Sequence, residues 1–404
     1  MTFVVLHPNL PDIEVAVAFG NNPTDSPLTW TDVTPYVRGL EYRRGRQSEL
    51  ARSEAGEAVI ALDNRDGRFT PTNTASPYTP NVVPMVPVRI RARWSGVVYD
   101  RFVGYAESWT PTWPGDGLDA VVELEAVDAI AVLNLYDLGG KSYAAALTGT
   151  RFSAVLTDCG LTGGAVSLGT GQSTIIASGT LTTGTGALSH LQSCEETENG
   201  TFYPSRGGTL VLEDRHHRIK NETASQGTIG DGAGEIPYRE LTAAYDAYQL
   251  WNECKMTPDG GTVETAVDTS STAKYFKRTL DRALLISSQS EALSAAQWNL
   301  ARYKDPALRT PSVTILGAAN AATAWPVVLT VDISDRVTRK RRPPGGGTIS
   351  DDQHVEAVAE RVSLDRGGPS WDTTWTLSPA TSEAFWILGN AQNSLLGQTT
   401  RLGY

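Results

Sequence analysis

The chain has 404 residues, more than one hydrophobic core usually organises, so two or three domains are expected. Its 40% hydrophobic and 20% charged residues are those of an ordinary folded protein and argue against disorder. A formal net charge of −11 argues against a protein that mainly grips phosphate, which needs an excess of Lys and Arg on one face.

Residues up to about 135 read as a β-meander. Between Glu57 and Asp63 the pattern alternates, with Ala58, Ile60 and Leu62 on one face, which predicts a half-buried strand. The stretch "VRIRARW", from Val88, puts Arg89, Arg91 and Arg93 on one face as a solvated basic stripe. Ser95-Gly96 then offers a tight turn into "VVYDRFVGYAESW". After "TPTWPGDG", "LDAVVELEAVD" alternates again through Ala120, Val122, Leu124 and Ala126, and "DAIAVLNLYD" closes the region as a short helix. Such spacing predicts a small barrel or sandwich. Pro71, Pro77, Pro80, Pro84 and Pro87 predict a surface strap rather than a central strand.

The middle of the chain changes character. "TGTRFSAVLTDCG" reads as a helix ending at Gly160, and the Gly/Thr/Ser run from Gly163 to Gly186 is too polar to make a core. Then follow a helix with Leu188 and Leu191 on one face, a stop at Asn199-Gly200, and a hairpin turning at Arg206-Gly207-Gly208. The last third holds the clearest helix, near 290–304, with Ser290 as cap and Leu293, Ala296 and Leu300 as its buried face. "SVTIL", "VVLTVDIS", "EAVAERVSLD" and "WDTTWTL" read as strands, the last with Trp371, Thr373, Trp375 and Leu377 on one track. The fold class expected is therefore mainly β with α+β insertions: a β-rich unit over 1–137, an α+β unit over 138–225 and a second β-rich unit over 226–404.

Candidate chemistry is sparse. Asp63, Asp66 and Gly67 fail the calcium-loop pattern because Arg65 occupies a ligand position, so a hairpin turn is expected. Cys159, Cys194 and Cys254 are too few for a disulfide framework and have no zinc spacing, so they read as buried thiols. His190 and Cys194 read as packing, and His216-His217 as a hairpin end. No G-x-S-x-G, HExxH or Walker A motif occurs, so neither an enzyme nor a cofactor or metal is expected. The charged residues Arg43, Arg44, Arg46, Glu49, Arg52, Glu54 and Glu57 read as a solvated loop or as a contact with a neighbouring subunit. Arg339-Lys340-Arg341-Arg342 reads as a basic loop tip, solvated or facing an acidic partner. The start "MTFVVLHPNLPD" lacks a basic n-region, and nowhere do about 18 apolar residues occur together, so a soluble protein made without a secretion signal is expected.

The stretch "RGRQSELARSEAGEAVIALDNRDGRFTPTNTASPYTPNVVPMVPVRIRARW" resembles the N-terminal signature of tail-tip hub proteins, minor tail proteins of siphophages infecting actinobacteria. The resemblance continues through "YAESWTPTWPG", "LSHLQSCEETENGTFYPSRGGTLVLEDR", "SEALSAAQWNLARYKDPALRTPSVTIL", "DISDRV" and "WTLSPA". It implies two tail-tube-like β-barrel domains with α+β insertions, and three copies in a ring that presents six barrels to a hexameric tube. The implied partners are a hexameric distal tail protein, the C-terminus of the tape measure protein, and tip or receptor-binding proteins. DNA would be met only in transit, and the implied place is the virion tail tip after assembly in the host cytoplasm. The end, "SPATSEAFWILGNAQNSLLGQTTRLGY", is expected to leave no room for a hydrolase or fibre domain. The resemblance also favours the subunit contact for Arg43, Arg44, Arg46, Glu49 and Arg52. Two rivals stand beside this reading: a carbohydrate-binding tip module using Trp109, Trp113 and Trp325, and a wall hydrolase.

Overall fold

In the computed structural model, residue 3 and residues 7–115, 119–364 and 368–380 are described. Alternation decides the first β region: in strand Glu57–Asp63, Ala58, Ile60 and Leu62 are buried, and Glu57 is exposed. Strands Pro87–Trp94 and Val97–Thr112 form the expected hairpin. Ser95 and Gly96 at its tip have φ of 48° and 81°, the mirror-image turn whose twist matches that of the strands.

The two β-rich regions are not separate sheets. Hydrogen bonding runs from Tyr238–Tyr245 through Leu308–Ile315, Ser370–Pro379 and Ile349–Ser363, and crosses to Val37–Gly45. It continues through Glu57–Asp63, Val121–Val127, Val97–Thr112 and Pro87–Trp94 to Asp12–Val17 and Thr31–Asp32. Arg336–Arg341, paired on Ile349–Ser363, and Thr228–Ile229 complete a thirteen-stranded sheet, and no closed barrel occurs among the described residues. The seam is an antiparallel pairing of Gly39 through Gly45 with Ser363 through Ala357. The main core follows the sheet across it, joining Ile60, Ile90, Phe102 and Leu124 to Trp325, Val358, Trp371 and Trp375.

The Asp63–Gly67 run is a turn but not a hairpin. Strand Glu57–Asp63 pairs with Val37–Gly45 and Val121–Val127, and the chain leaves it as a long surface strap. Phe69 and Tyr78 pin the strap with rings 5.5 Å apart, Phe69 also stacks on Trp109 at 6.3 Å, and Trp109 Nε1 donates to the Val83 carbonyl at 3.0 Å.

Two smaller cores flank the sheet. Helices Ala129–Leu135, Thr148–Asp158 and Ala187–Glu198 pack with the hairpin Thr201–Pro204/Leu210–Glu213 around Ile130, Phe152, Leu191, Phe202 and Leu212. Asn199 ends the third helix at φ 53°, as expected. The polar run before it does reach the core: Thr174–Ile175 bridges Ala146–Leu147 and turns Ile175 fully inward. The second small unit is a sheet of Glu253–Pro258, Glu264–Val267 and Thr279–Leu284 under helix Gln289–Tyr303. Ser288, not Ser290, caps that helix, accepting from the Glu291 N–H. Its buried residues are Ala292, Ala295, Ala296, Trp298, Asn299 and Tyr303, with Leu293 and Leu300 only partly covered, and the three alanines are the part of that face that joins the apolar core of the sheet.

One strand expectation fails outright. "VVLTVDIS" begins inside helix Ala321–Thr330, where Val328 and Leu329 are buried, so core packing overrides β propensity. Trp325 anchors this helix: its ring lies 6.5 Å from Trp94 and 5.8 Å from Trp371, and its Nε1 donates to the Asn9 carbonyl at 2.8 Å. Trp325→Ala is expected to cost about 3–5 kcal/mol in chemical denaturation, since it empties the junction of both β regions.

Candidate subunit-contact residues and the buried charge network

Period two in strand Val37–Gly45 sends Leu40, Tyr42 and Arg44 inward and Glu41 and Arg43 outward. Arg44 is 1% exposed and spends its guanidinium inside its own chain. Its Nε donates to the Arg101 carbonyl at 3.1 Å, Nη1 to the Pro204 carbonyl at 3.0 Å and Nη2 to Asp332 at 2.8 Å. One side chain thus ties the first β region, the middle hairpin and the turn after helix Ala321–Thr330. Burial works against the Asp332 charge, but Arg44 holds this carboxyl below its ordinary range.

Gly45 makes the next contact possible. At φ 96° a Cβ would stand 2.2 Å from the Glu356 carbonyl oxygen, so only glycine lets Arg46 approach. Arg46 N–H donates to that carbonyl at 3.0 Å, and its Nε to the Glu356 carboxylate at 2.8 Å. Arg218 Nη1 and Ser378 Oγ donate to the same carboxylate at 2.5 and 2.6 Å. Burial opposes ionisation there, yet Arg218 and Arg46 hold Glu356 well below the usual carboxylate range.

A third knot centres on Arg101. Arg101, fully buried, donates Nε to Tyr42 Oη at 3.1 Å, Nη1 to the Leu329 carbonyl at 2.9 Å and Nη2 to Glu360 at 2.5 Å. Glu360 also accepts from Trp371 Nε1 and Thr373 Oγ1. Its signal in the sequence is parity, since Glu360 shares a register with Val358 and Val362, and all three are buried.

The remaining charged candidates divide. Glu49 accepts from Arg302 at 3.3 Å, across to the helix of the small unit. Arg43 and Arg52 stay half-exposed at the surface and pair with Glu54 and Glu196, each at 2.9 Å. Arg339-Lys340-Arg341-Arg342 is not a loop tip, because Arg336–Arg341 is a strand of the large sheet and the turn lies beyond it. Arg339 is buried on Asp351 and Thr310, Lys340 lies 3.7 Å from Glu235, Arg341 meets Asp231, and Arg342 meets Asp231 and Glu235. Hydrogen bonds from Arg342 draw the Glu235 carboxyl down to about 2.

The arginine stripe is not simply solvated either. Cross-strand register sets Glu14 opposite Arg91 and Asp12 opposite Arg93, and Glu14 is fully buried between Arg89 and Arg91. A cleft of about 370 Å³ opens where the loop after Gly45, the middle unit and helix Gln289–Tyr303 meet, and its Arg46, Arg215, Arg218 and Arg302 each face a carboxylate. Of the tryptophans proposed for sugar stacking, Trp109 and Trp325 are buried and Trp113 is 60% exposed.

His190 stacks on Tyr143 with ring centroids 5.8 Å apart and lies 3.4 Å from Arg151; burial and Arg151 lower it to about 4. Burial pushes the neighbouring Cys194 thiol up to about 12. In the Asp63–Gly67 turn Asp63 pairs with Arg65 and Asp66 with Arg68, and among the described residues no three metal-ligating side chains are grouped to hold an ion.

No protein-family model and no curated protein matches the chain in sequence. Solved structures do match it in fold. The 43 kDa tail protein of prophage MuSo2 from Shewanella oneidensis superposes with a TM-score of 0.57 at 12% identity, over 91% of this chain and 98% of that one. A tail protein from Neisseria meningitidis gives 0.60 at 10% identity over 90% and 96%, and a prophage tail protein from Listeria monocytogenes 0.50 at 10% over 90% and 94%. The chain therefore has the fold of phage tail proteins along nearly its whole described length.

Two outcomes check the network. Glu360→Gln strips the counter-charge from a buried guanidinium and is expected to cost about 3–5 kcal/mol in urea unfolding, far more than Arg43→Gln at the surface. Acid should also unfold the chain through its neutral imidazoles: His354, buried beside Arg218, is lowered to about 3, and His190 to about 4. Folded values below the unfolded ~6.5 mean that their contribution is complete above that pH. It is lost as pH falls toward about 4, by about 1.4 kcal/mol per pH unit for each imidazole. Urea midpoints measured at pH 7 and 4.5 should fall less in a His354→Gln, His190→Gln variant.

Proposed function

We propose that the chain is a structural hub of a phage tail, with three copies forming a ring at the distal end that matches a hexameric tube, surrounds the DNA path and anchors tip proteins. The observation that carries this reading is the end-to-end likeness to phage tail proteins, which covers 91% of this chain and 98% of one of them. A match over both full lengths concerns the whole architecture rather than one common module. The stretches quoted for the hub resemblance run over the elements that build it, from the end of strand Val37–Gly45 to strand Ser370–Pro379.

The partners on this reading are a hexameric distal tail protein, the tape measure C-terminus, and tip or receptor-binding proteins. The ring would bring two β regions per copy, fused into one sheet at the seam, to a sixfold neighbour. An acidic chain suits a wall that lets nucleic acid pass, because like charge discourages retention. The sugar-binding alternative keeps only Trp113 at the surface, since Trp109 and Trp325 lie in the core.

Imaging of tails carrying a labelled copy tests the proposal. Three copies on the tail axis at its distal end are expected, and a monomer away from the axis would refute it. Within the ring, Arg43 and Arg52 are the candidates from the first charged run that can face a neighbour, as Arg341 and Arg342 can from the second, since Arg44 and Arg46 are enclosed by their own chain. Arg43→Glu with Arg52→Glu is expected to weaken ring association about tenfold at unchanged melting temperature, read by mass photometry, whereas Arg46→Glu should lower the melting temperature by placing a carboxylate against Glu356.

A further inference from the structure

One face of helix Ala187–Glu198 grips the loop 46–56 that joins strands Val37–Gly45 and Glu57–Asp63. Residues three and four apart on a helix share a face, and Gln192, Glu195 and Glu196 all reach the same two loop residues. Gln192 Nε2 donates to the Ser53 carbonyl at 2.7 Å, Arg52 Nε donates to Glu196 at 2.9 Å, and Ser53 Oγ stands 2.8 Å from Glu195 Oε2. Glu195 and Ser53 are 4% and 3% exposed. The loop also forms one wall of the cleft of about 370 Å³, so this grip sets how closely the middle unit sits on the sheet.

The hydrogen bonds at Ser53 do not balance around an ionised Glu195. Ser53 Oγ also stands 2.6 Å from the Phe202 carbonyl oxygen, and a hydroxyl has one proton to give. A carboxylate and a carbonyl both only accept, and one O–H does not serve two oxygens at such short range. A proton on Glu195 resolves the count: Oε2–H donates to Ser53 Oγ, Ser53 donates to the Phe202 carbonyl, and Oε1 accepts from the Phe202 N–H at 2.9 Å. The charges that face Glu195 are already committed. Arg46 Nη1 is 3.7 Å away, but its Nε is given at 2.8 Å to Glu356, which Arg218 also holds, and Arg52 is taken by Glu196. Across the cleft, Arg215 and Arg302 are taken by Glu198 and Glu49. Burial raises Glu195 above the usual carboxylate range, and Arg46 does not reverse it.

We propose that Glu195 is a protonated acid in the folded chain and that its proton latches the loop 46–56 onto the middle unit. Without that proton Ser53 must abandon one acceptor, leaving either the Phe202 carbonyl unpaired or a buried carboxylate short of a donor. Both are costly away from water. Release of the segment around Ser53 into solvent removes the cost and widens the cleft. Because the folded value lies above the unfolded ~4.3, the stabilisation is complete below about 4.3 and is lost as pH rises through the folded value. Rising pH therefore opens the latch, and acid closes it.

Hydrogen exchange of the full chain, with intrinsic rates divided out, tests the latch from about pH 5 to about pH 9. Protection of the amides in 48–56 and of Phe202 is expected to fall at least about tenfold over that range. In Glu195→Gln, whose amide donates to Ser53 Oγ at every pH, protection should stay level and the melting temperature near pH ~6 should not drop. Asp128, pushed to about 7 by burial, accepts from the Gly56 N–H at the end of the same loop and is present in both proteins, so their difference reports Glu195. Infrared spectra at about pH 6 should show a protonated-carboxyl band in the parent that Glu195→Gln lacks. A loss of protection equal in both proteins, or absent from both, overturns the latch. So does a parent without that band, and so does a clearly lower melting temperature for Glu195→Gln, which would make the carboxylate a charged partner of Arg46.

Discussion

A guanidinium buried among apolar side chains must find charge and hydrogen-bond partners, and although Tyr42 on its own side takes one N–H, Arg101 finds its counter-charge only across the seam between the two β regions. Its carboxylate, Glu360, sits on the strand that pairs with Val37–Gly45, and its carbonyl partner, Leu329, ends the helix that Trp325 seats. Removing either region would leave an unpaired charge in a dry site, at a cost of several kcal/mol. Arg44 and Arg46 repeat the demand toward Asp332, the Pro204 carbonyl and Glu356. Distances up to hundreds of residues along the chain are thereby closed by a few directional contacts. Apolar packing alone is tolerant of sliding, whereas a forked guanidinium accepts one register.

That specificity bears on assembly. In the proposed ring, each subunit would have to keep its two sheet regions at a constant relation, because small rotations at the seam would be repeated in every copy. Among the described residues the sheet ends are guarded as well. One edge strand, Thr31–Asp32, is two residues long, and the other, Tyr238–Tyr245, carries two register shifts against its neighbour. Short and bulged edges resist indiscriminate strand addition.

Much of the local structure was legible in the sequence for a simple reason: strands with one wet face must alternate. Glu57–Asp63, the Ser95-Gly96 hairpin, and the track of Trp371, Thr373, Trp375 and Leu377 lie where alternation and turn chemistry put them. Misreadings arose where a residue's surroundings come from distant chain. Valines at 327 and 328 favour a strand until the core receives them as a helix, and Arg339 looks like a basic tip until Asp351 lies opposite it. The candidate contact residues suffered most, since composition shows a charge but not whether a partner lies beyond the horizon of a few residues.

The sequence by itself determined the mainly β character, the α+β insertions, the surface strap and the resemblance to tail hubs. These follow from periodicity, turn residues and quoted stretches, all of which are local. Tertiary structure alone decided that both β regions share one sheet, that Arg44 and Arg46 face inward, and that Glu195 meets Ser53 in a buried site. Strand partners and buried ion pairs join residues far apart in the chain, and their energy exists only once the fold has brought them within hydrogen-bonding distance and excluded water.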